Sequence, residues 1–273
     1  MRIRISRRST YRYEIPARGG VQQLRLTPRP CDSQRIASWR IEVDRDCRLF
    51  SSEDAFGNIL HRFSVAGPFD SLTILVEGEV ETFDTAGVLR GAIERFPPSF
   101  YMRETALTRP NAALRAFAHE AARASNDALS RLHALLAATF EAMTCEETIR
   151  PGTEAAEAFA RRSGSCEDAA HVLIAGVRAL ELPARYVSGF LWRADRPEKQ
   201  ALDHAWVEAH VEGLGWVGFD PSRCLSPNDA YVRVAIGLDA LGAAPIRGAH
   251  MGGAGEILEV NLRVQNAQSQ TQS

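Results

Sequence analysis

No apolar run in this 273-residue chain approaches the roughly 20 residues that a membrane-spanning helix needs. The first ten residues, MRIRISRRST, alternate charged with apolar side chains where a secretory signal carries an unbroken apolar stretch. Both absences make the cytoplasm the expected compartment and leave no membrane partner to expect. An excess of charge of one sign is missing too: 32 Lys and Arg stand against 34 Asp and Glu, a formal charge of -2. That balance gives nucleic acid no electrostatic reason to bind. The five cysteines, Cys31, Cys47, Cys145, Cys166 and Cys224, are an odd count with no regular spacing and no CxxC pair. A disulfide framework and a structural zinc site are therefore not expected. The seven histidines form no HExxH pattern, and no metal or other cofactor is predicted. Apolar residues are plentiful, 45% of the chain, enough for one large core or two smaller ones.

The chemistry concentrates in RSGSCEDAAHVLIAGVRALEL, from Arg162 to Leu182. Ala169, Ala170, Leu173, Ile174, Val177 and Leu180 recur at helical spacing, and Ser163, Gly164 and Ser165 make a cap-forming entry. Cys166 is thereby put on the first turn, where free backbone N–H groups and the positive end of the helix dipole favour an anion, here a thiolate nucleophile. A cysteine alone is more often a small core residue. A second stretch, ALDHAWVEAHVEGLGWVGFDPSRC, adds the weight. Leu202, His204, Trp206, Glu208 and His210 alternate with Asp203, Ala205, Val207, Ala209 and Val211, the pattern of a strand with a small apolar face against a helix. His204 points away from that face, toward a cleft. Glu212 to Gly215 reads as a turn and Trp216 to Asp220 as the returning strand, ended by Pro221. A loop of about five residues sets His204 and Asp220 nearly opposite, although the pattern does not fix the register.

Nucleophilic acyl transfer needs these three parts: Cys166 to attack, His204 to take and return the proton, and Asp220 to hold the imidazole tautomer. A metal site made of the same three residues is a weaker alternative, which stoichiometric zinc in the purified protein would revive. The motifs RRSGSCEDAAH, LPARYVSGFLW, DHAWVEAHVEGLGWVGFDP and YVRVAIGLDA, in this order, resemble the bacterial transglutaminase-like superfamily, whose fold is papain-like. The resemblance spans most of the chain and implies an α+β fold with Cys166, His204 and Asp220 as the catalytic triad. It departs at one place: the family shows Gly-Val-Cys-Gln-Asp before an aromatic residue, where this chain has Gly164, Ser165, Cys166, Glu167, Asp168 and Ala169. Two acidic side chains suit a helix start but partly oppose a thiolate.

The expected reaction is attack of Cys166 on the amide carbonyl of a peptide or protein, giving a thioester that water hydrolyses. Bacterial intracellular members of the family resemble peptidases or amidases, so hydrolysis is favoured over crosslinking by a transglutaminase. The reading from another class is an interaction module that keeps the fold without activity. The Cys166 backbone N–H is the natural oxyanion donor. In related enzymes a second donor is a side chain upstream of the cysteine, and no residue between Thr144 and Ser165 matches it.

The remaining chain organises around this unit. Residues 1–90 read as an N-terminal antiparallel β-sandwich of short strands, with a turn at Gly19-Gly20 and another at Asp54 to Asn58. This stretch also resembles the N-terminal region that precedes the catalytic domain in bacterial relatives; a structural lid is the favoured reading, with a positioning or substrate-gating role as the alternative. Residues 91–110, with Pro97-Pro98, form a crossing, and 111–264 form the catalytic domain. Pro110 to Cys145 holds packing helices interrupted near Ser125-Asn126, and Pro151 to Arg162 another short helix. Trp206 and Trp216 are candidates for the walls of a substrate cleft, a role for which plain core is an equal alternative. His171 is read as a hydrogen-bonded core residue, and Glu208 and His210 as surface or rim. Gly242 to Gly255 reads as a Gly/Ala-rich loop bordering the cleft, Glu256 to Val264 as a closing strand, and 265–273 as a disordered tail.

Overall fold

A computed structural model of the chain describes residues 1–147, 152–195 and 203–267. Pro151, Leu202 and the tail from 268 onward lie outside the described residues. In chain order the strands are β1 (Arg2–Thr27), β2 (Gln34–Val43), β3 (Phe50–Glu53), β4 (Ile59–Thr82) and β5 (Val88–Leu89). Helices α1 (Ala112–Ala122) and α2 (Ala128–Ala142) precede β6 (Thr144–Cys145), α3 (Ala155–Arg161), β7 (Ser163–Gly164) and α4 (Cys166–Ala179). Then come β8 (Ala184–Leu191), β9 (His204–Val211), β10 (Gly215–Phe219), β11 (Tyr231–Gly237), β12 (Ile246–Ala254) and β13 (Ile257–Asn266). Among the described residues no helix is long and apolar enough to cross a membrane.

The first sheet is built on two long strands. β1 and β4 run antiparallel over almost their whole lengths, and β2, β3, β12 and β13 add to their sides. The expected sandwich of short strands thus takes the form of one sheet of long, bent ones. Gly19 and Gly20 make no turn: β1 continues through them opposite Ala66 and Val65, with a register shift between Ala17 and Gly19. The irregularity that reads as a turn in the sequence is a bulge, because a paired neighbour holds the chain extended on either side. Ile246 to Ala254, expected within a loop, is β12 for the same reason. Its backbone pairs with β1 from Ile15↔Ala254 to Leu24↔Ile246, and ladder bonds form whatever the side chains prefer. β13, the expected closing strand, pairs with β1 from Ile3↔Asn266 to Arg12↔Ile257. The C-terminal hairpin therefore completes the first sheet, so residues 111–264 contribute strands to both sheets, and β13 runs on to Asn266.

The second sheet has the order β11-β8-β9-β10-β5 and is antiparallel throughout. α4 packs on one face of it, on β8 and β9, with α1, α2 and α3 around its other side. Val172 and Ala175 are as buried as Leu173, Ile174 and Val177, as befits a helix enclosed on every side. Capping breaks the helical run where the sequence places the interruption: Asp127 ends the loop and accepts from the Ser130 N–H at 2.9 Å. Arg178, buried near the end of α4, donates to Tyr101 O, Thr108 Oγ1, Ala184 O and Leu238 O at 2.7–3.1 Å, tying the helix to the crossing segment and the sheet.

The crossing segment covers the sheet's other face. Tyr101, Phe96 and Phe100 pack there with Trp206 and Trp216. Glu208, expected at the surface, is 3% exposed beneath this cover. It accepts from Arg185 at 2.7 Å and from Arg233 at 2.6 Å, while Arg185 forks onto Glu94 and lies 3.9 Å from the Trp216 ring centre. A buried carboxylate needs such partners, and two arginines supply them. One cluster of buried side chains runs from Ile3 and Val76 in the first sheet through Leu135 and Ile174 to Val207 in the second.

Candidate active site

Cys166 is the first residue of α4. Ser165 is its N-cap and makes a reciprocal box with Asp168: the Asp168 N–H donates to Ser165 Oγ at 3.2 Å, and the Ser165 N–H to Asp168 Oδ2 at 2.9 Å. A Cβ on Gly164 would stand 2.5 Å from Asp168 Oδ2, so the box closes only over a glycine. The parallel pairing of β6 with β7, Cys145↔Gly164, holds the approach to the helix. One of the two acidic residues beside Cys166 is thus spent on the cap, with Asp168 2% exposed and Arg161 at 3.8 Å.

His204 opens β9 and Asp220 follows β10. Phe219 pairs with Val207, which carries Asp220 one residue further, to a place diagonal to His204. Their side chains meet: His204 Nε2 lies 2.6 Å from Asp220 Oδ2. Asp220 is fully buried and His204 is 13% exposed, so the ring alone of this pair is open to a ligand. Tyr231 donates to Asp220 Oδ2 at 2.6 Å, and the Ser222 N–H and hydroxyl donate to Oδ1 at 2.9 and 2.7 Å. Burial works against both ionised groups of the pair, and their mutual attraction outweighs it. His204 is pushed up to about 10, with a further contribution from a hydrogen bond to the Cys166 side chain, and Asp220 is held below the usual carboxylate range. With Nε2 taken by Asp220, Nδ1 is the ring nitrogen left for the sulfur. A cysteine on a helix start, an imidazole and a buried carboxylate therefore stand together, an arrangement able to perform acyl transfer.

Cys166 lies on the wall of a cavity of about 370 Å³. α4 supplies Glu167 and His171, and the first sheet supplies Arg7, Tyr11, Leu258 and Val260. Burial, followed by the charges of Asp203 and Asp168, pushes Glu167 up to about 7, against a lowering by a hydrogen bond from Tyr186. The second acidic neighbour of Cys166 is therefore partly neutral at physiological pH. His171 is buried and accepts the Ala240 N–H at 3.0 Å, and burial pushes it down to about 4. It is a hydrogen-bonded neutral ring away from the His204–Asp220 pair.

Trp206 and Trp216 do not line this cavity. Trp206 is 2% exposed, between His204 at 6.3 Å and Tyr231 at 5.4 Å, ring centre to ring centre. Trp216 lies under Arg185 and Tyr101 on the covered face. Trp206 follows His204 in the β9 alternation and Trp216 pairs with His210 on the same face, which the crossing segment covers beyond the histidine. Of the residues that sequence reasoning missed, Ser222 has a local signal, a serine two positions after an aspartate in a turn. Arg7 has one too, a charge at an inward position of an alternating strand. Tyr231 and Tyr186 have none, since only the tertiary fold brings them to the site.

Comparison with known proteins agrees with this fold. Residues 115–221 match the transglutaminase-like superfamily and residues 3–81 the bacterial transglutaminase-like N-terminal region. The two matched regions, one similar to that N-terminal region and one to the transglutaminase-like core that it precedes, follow one another along the chain in that order. Among its relatives, an uncharacterized protein of Mycobacterium leprae is 27% identical over 286 residues, covering 96% of this chain and 98% of its own. An uncharacterized protein of Mycobacterium tuberculosis is 28% identical over 274 residues, covering 90% and 87%. A solved structure from Cytophaga hutchinsonii, described as a candidate cysteine protease, superposes with a TM-score of 0.78 at 20% identity and covers 98% of this chain and 91% of that one. That likeness establishes the α+β, papain-like fold.

Proposed function

We propose that the chain is a thiol-dependent amide hydrolase, a peptidase or amidase, with Cys166, His204 and Asp220 as its triad. The observation that carries this reading is the buried Asp220 bonded at 2.6 Å to a His204 that keeps a small exposed edge, and whose other ring nitrogen is left for a cysteine on a helix start. The Cys166 thiolate attacks the amide carbonyl, and the oxyanion takes a hydrogen bond from the Cys166 backbone N–H. Collapse breaks the C–N bond, and the His204 imidazolium gives its proton to the leaving amine. Water then attacks the thioester, His204 takes its proton, and the acid leaves with the thiolate restored. The net change is amide plus water to acid plus amine. An amine in place of water would give a new amide.

The cavity walls from Tyr11, Leu107, Leu241, Ile246, Leu258 and Val260 favour an acyl donor with an apolar side chain. The Cytophaga hutchinsonii protein described as a candidate cysteine protease supports hydrolysis over amine transfer. The test is to incubate the protein with peptide amides bearing apolar side chains, with and without a primary amine, and follow the acyl-enzyme and both products by mass spectrometry. Hydrolysis through a thioester on Cys166, lowered at least about a thousandfold in Cys166→Ala, is the expected result. Amine incorporation outpacing hydrolysis would reassign the protein as a transglutaminase. An intact protein that forms no acyl-enzyme with any substrate would favour the interaction module.

A further inference from the structure

We infer that Arg7 of the N-terminal sheet is a positioning residue for the active site, acting through Asp203 on His204. The inference rests on the proposed role of His204. β1 turns Ile3, Ile5, Arg7, Ser9 and Tyr11 toward the interior, and Arg7 is a cation in a row of otherwise uncharged inward positions. Its sheet neighbours Val76 and Leu262 are both buried, so nothing in the first sheet calls for an arginine there. The partner comes from the second unit. Arg7 Nε donates to Asp203 Oδ1 and Nη2 to Oδ2, each at 2.8 Å, a planar two-point fork that fixes direction as well as distance. Nη1 is hydrogen-bonded to Ser9 Oγ, which fixes the guanidinium from behind. Arg7 is 5% exposed and Asp203 20%, so solvent screens the pair little.

Asp203 is joined by one peptide bond to His204, at the start of β9. A strand end is where register is held least by the ladder, and here the last paired residue is His204 itself, opposite Gly189. The fork ties that end to a sheet whose own strands are long and doubly paired. It does so at the cavity that Cys166 opens into, since Arg7, Asp203, Cys166 and Glu167 share its wall. The charge matters as well as the reach. Asp203 already raises Glu167, and without Arg7 the cavity would hold Asp203, Glu167 and Asp168 beside the nucleophile with one fewer cation to balance them. The N-terminal region is then a working part of the site and more than a lid.

The test measures the pH dependence of Cys166 alkylation by iodoacetamide in the full chain, by peptide mass mapping. Wild type is compared with Arg7→Ala, Arg7→Lys, Asp203→Ala, the Arg7→Ala/Asp203→Ala double variant and His204→Ala, with thermal unfolding of each. The expected result is a fall of at least tenfold at neutral pH in folded Arg7→Ala, with its profile moved toward that of His204→Ala. Arg7→Lys, which keeps the charge without the fork, should fall between, and the double variant should be no slower than the worse single one. If Arg7→Ala is not folded, Arg7→Lys and Asp203→Ala carry the comparison. Melting temperatures that drop while every Arg7 and Asp203 profile stays at wild type would overturn the inference and leave a purely structural ion pair. A wild-type profile equal to that of His204→Ala would instead sink the triad, and the role of Arg7 with it.

Discussion

Four hydrogen bonds converge on the Asp220 carboxylate, from His204, Tyr231 and twice from Ser222. They leave it no lone pair to offer a substrate, and in the proposed mechanism its part is to hold the imidazole ring and its charge. Glu167 is the opposite case, a carboxyl with burial against it, pushed from the usual 4.5 to about 7. A carboxyl raised in the folded state binds more protons there than in the unfolded chain. Stability is then greater below pH 4.5 and is lost as pH rises through about 7, by up to about 3 kcal/mol. Glu167→Gln should remove that slope, which unfolding free energies from pH 4.5 to 7.5 would detect; an unchanged slope would mean Glu167 is an ordinary solvated acid. The sequence reveals Glu167 as a departure from the family pattern but not its consequence, because the consequence depends first on burial and then on Asp203, 36 residues further along the chain, and only the fold supplies either.

At the scale of elements, α4, β9 and β10 are legible because their periodicities are clean: an apolar helical stripe behind Cys166, and alternation around His204 and Asp220. Three residues from two motifs meet because a buried helix start faces the end of a hairpin. What is not legible is cover. Alternation marks Trp206 and Glu208 as sharing the His204 face, but it cannot tell that residues 91–103 lie over the far part of that face. The network of the buried Arg185 and Glu208 with Arg233 and the surface residue Glu94 follows from this cover. Burial is opposed by Arg233 and Arg185, which together pull Glu208 down from 4.5 to about 2. The stability it contributes is present above pH 4.5 and is lost as pH falls toward 2. Glu208→Ala leaves Arg185 and Arg233 short of a counter-charge and should cost about 3–5 kcal/mol in urea unfolding at pH 7. A loss under about 1 kcal/mol would place Glu208 among exposed pairs.

For the whole molecule, composition and pattern foresee two parts, and the fold joins them. The closing hairpin returns to the first sheet, Arg7 reaches the second unit, and one buried cluster passes through both. Long-range return of the chain is what local pattern cannot express: β12 reads as a glycine-rich loop until β1 is beside it. A shared core predicts shared unfolding. Calorimetry should record one transition with equal calorimetric and van't Hoff enthalpies, and two resolved transitions would mean that the parts are energetically separate.

The central claim is that Cys166 is an activated nucleophile because His204, held by Asp220, stands against it. The most direct measurement is the rate of Cys166 alkylation at pH 6 to 9, in wild type and His204→Ala, with the exposed Cys224 in the same molecule as reference. The account predicts that Cys166 outpaces Cys224 at pH 6 to 7 and that the advantage disappears without His204. Rates that follow Cys224 in both proteins would contradict it.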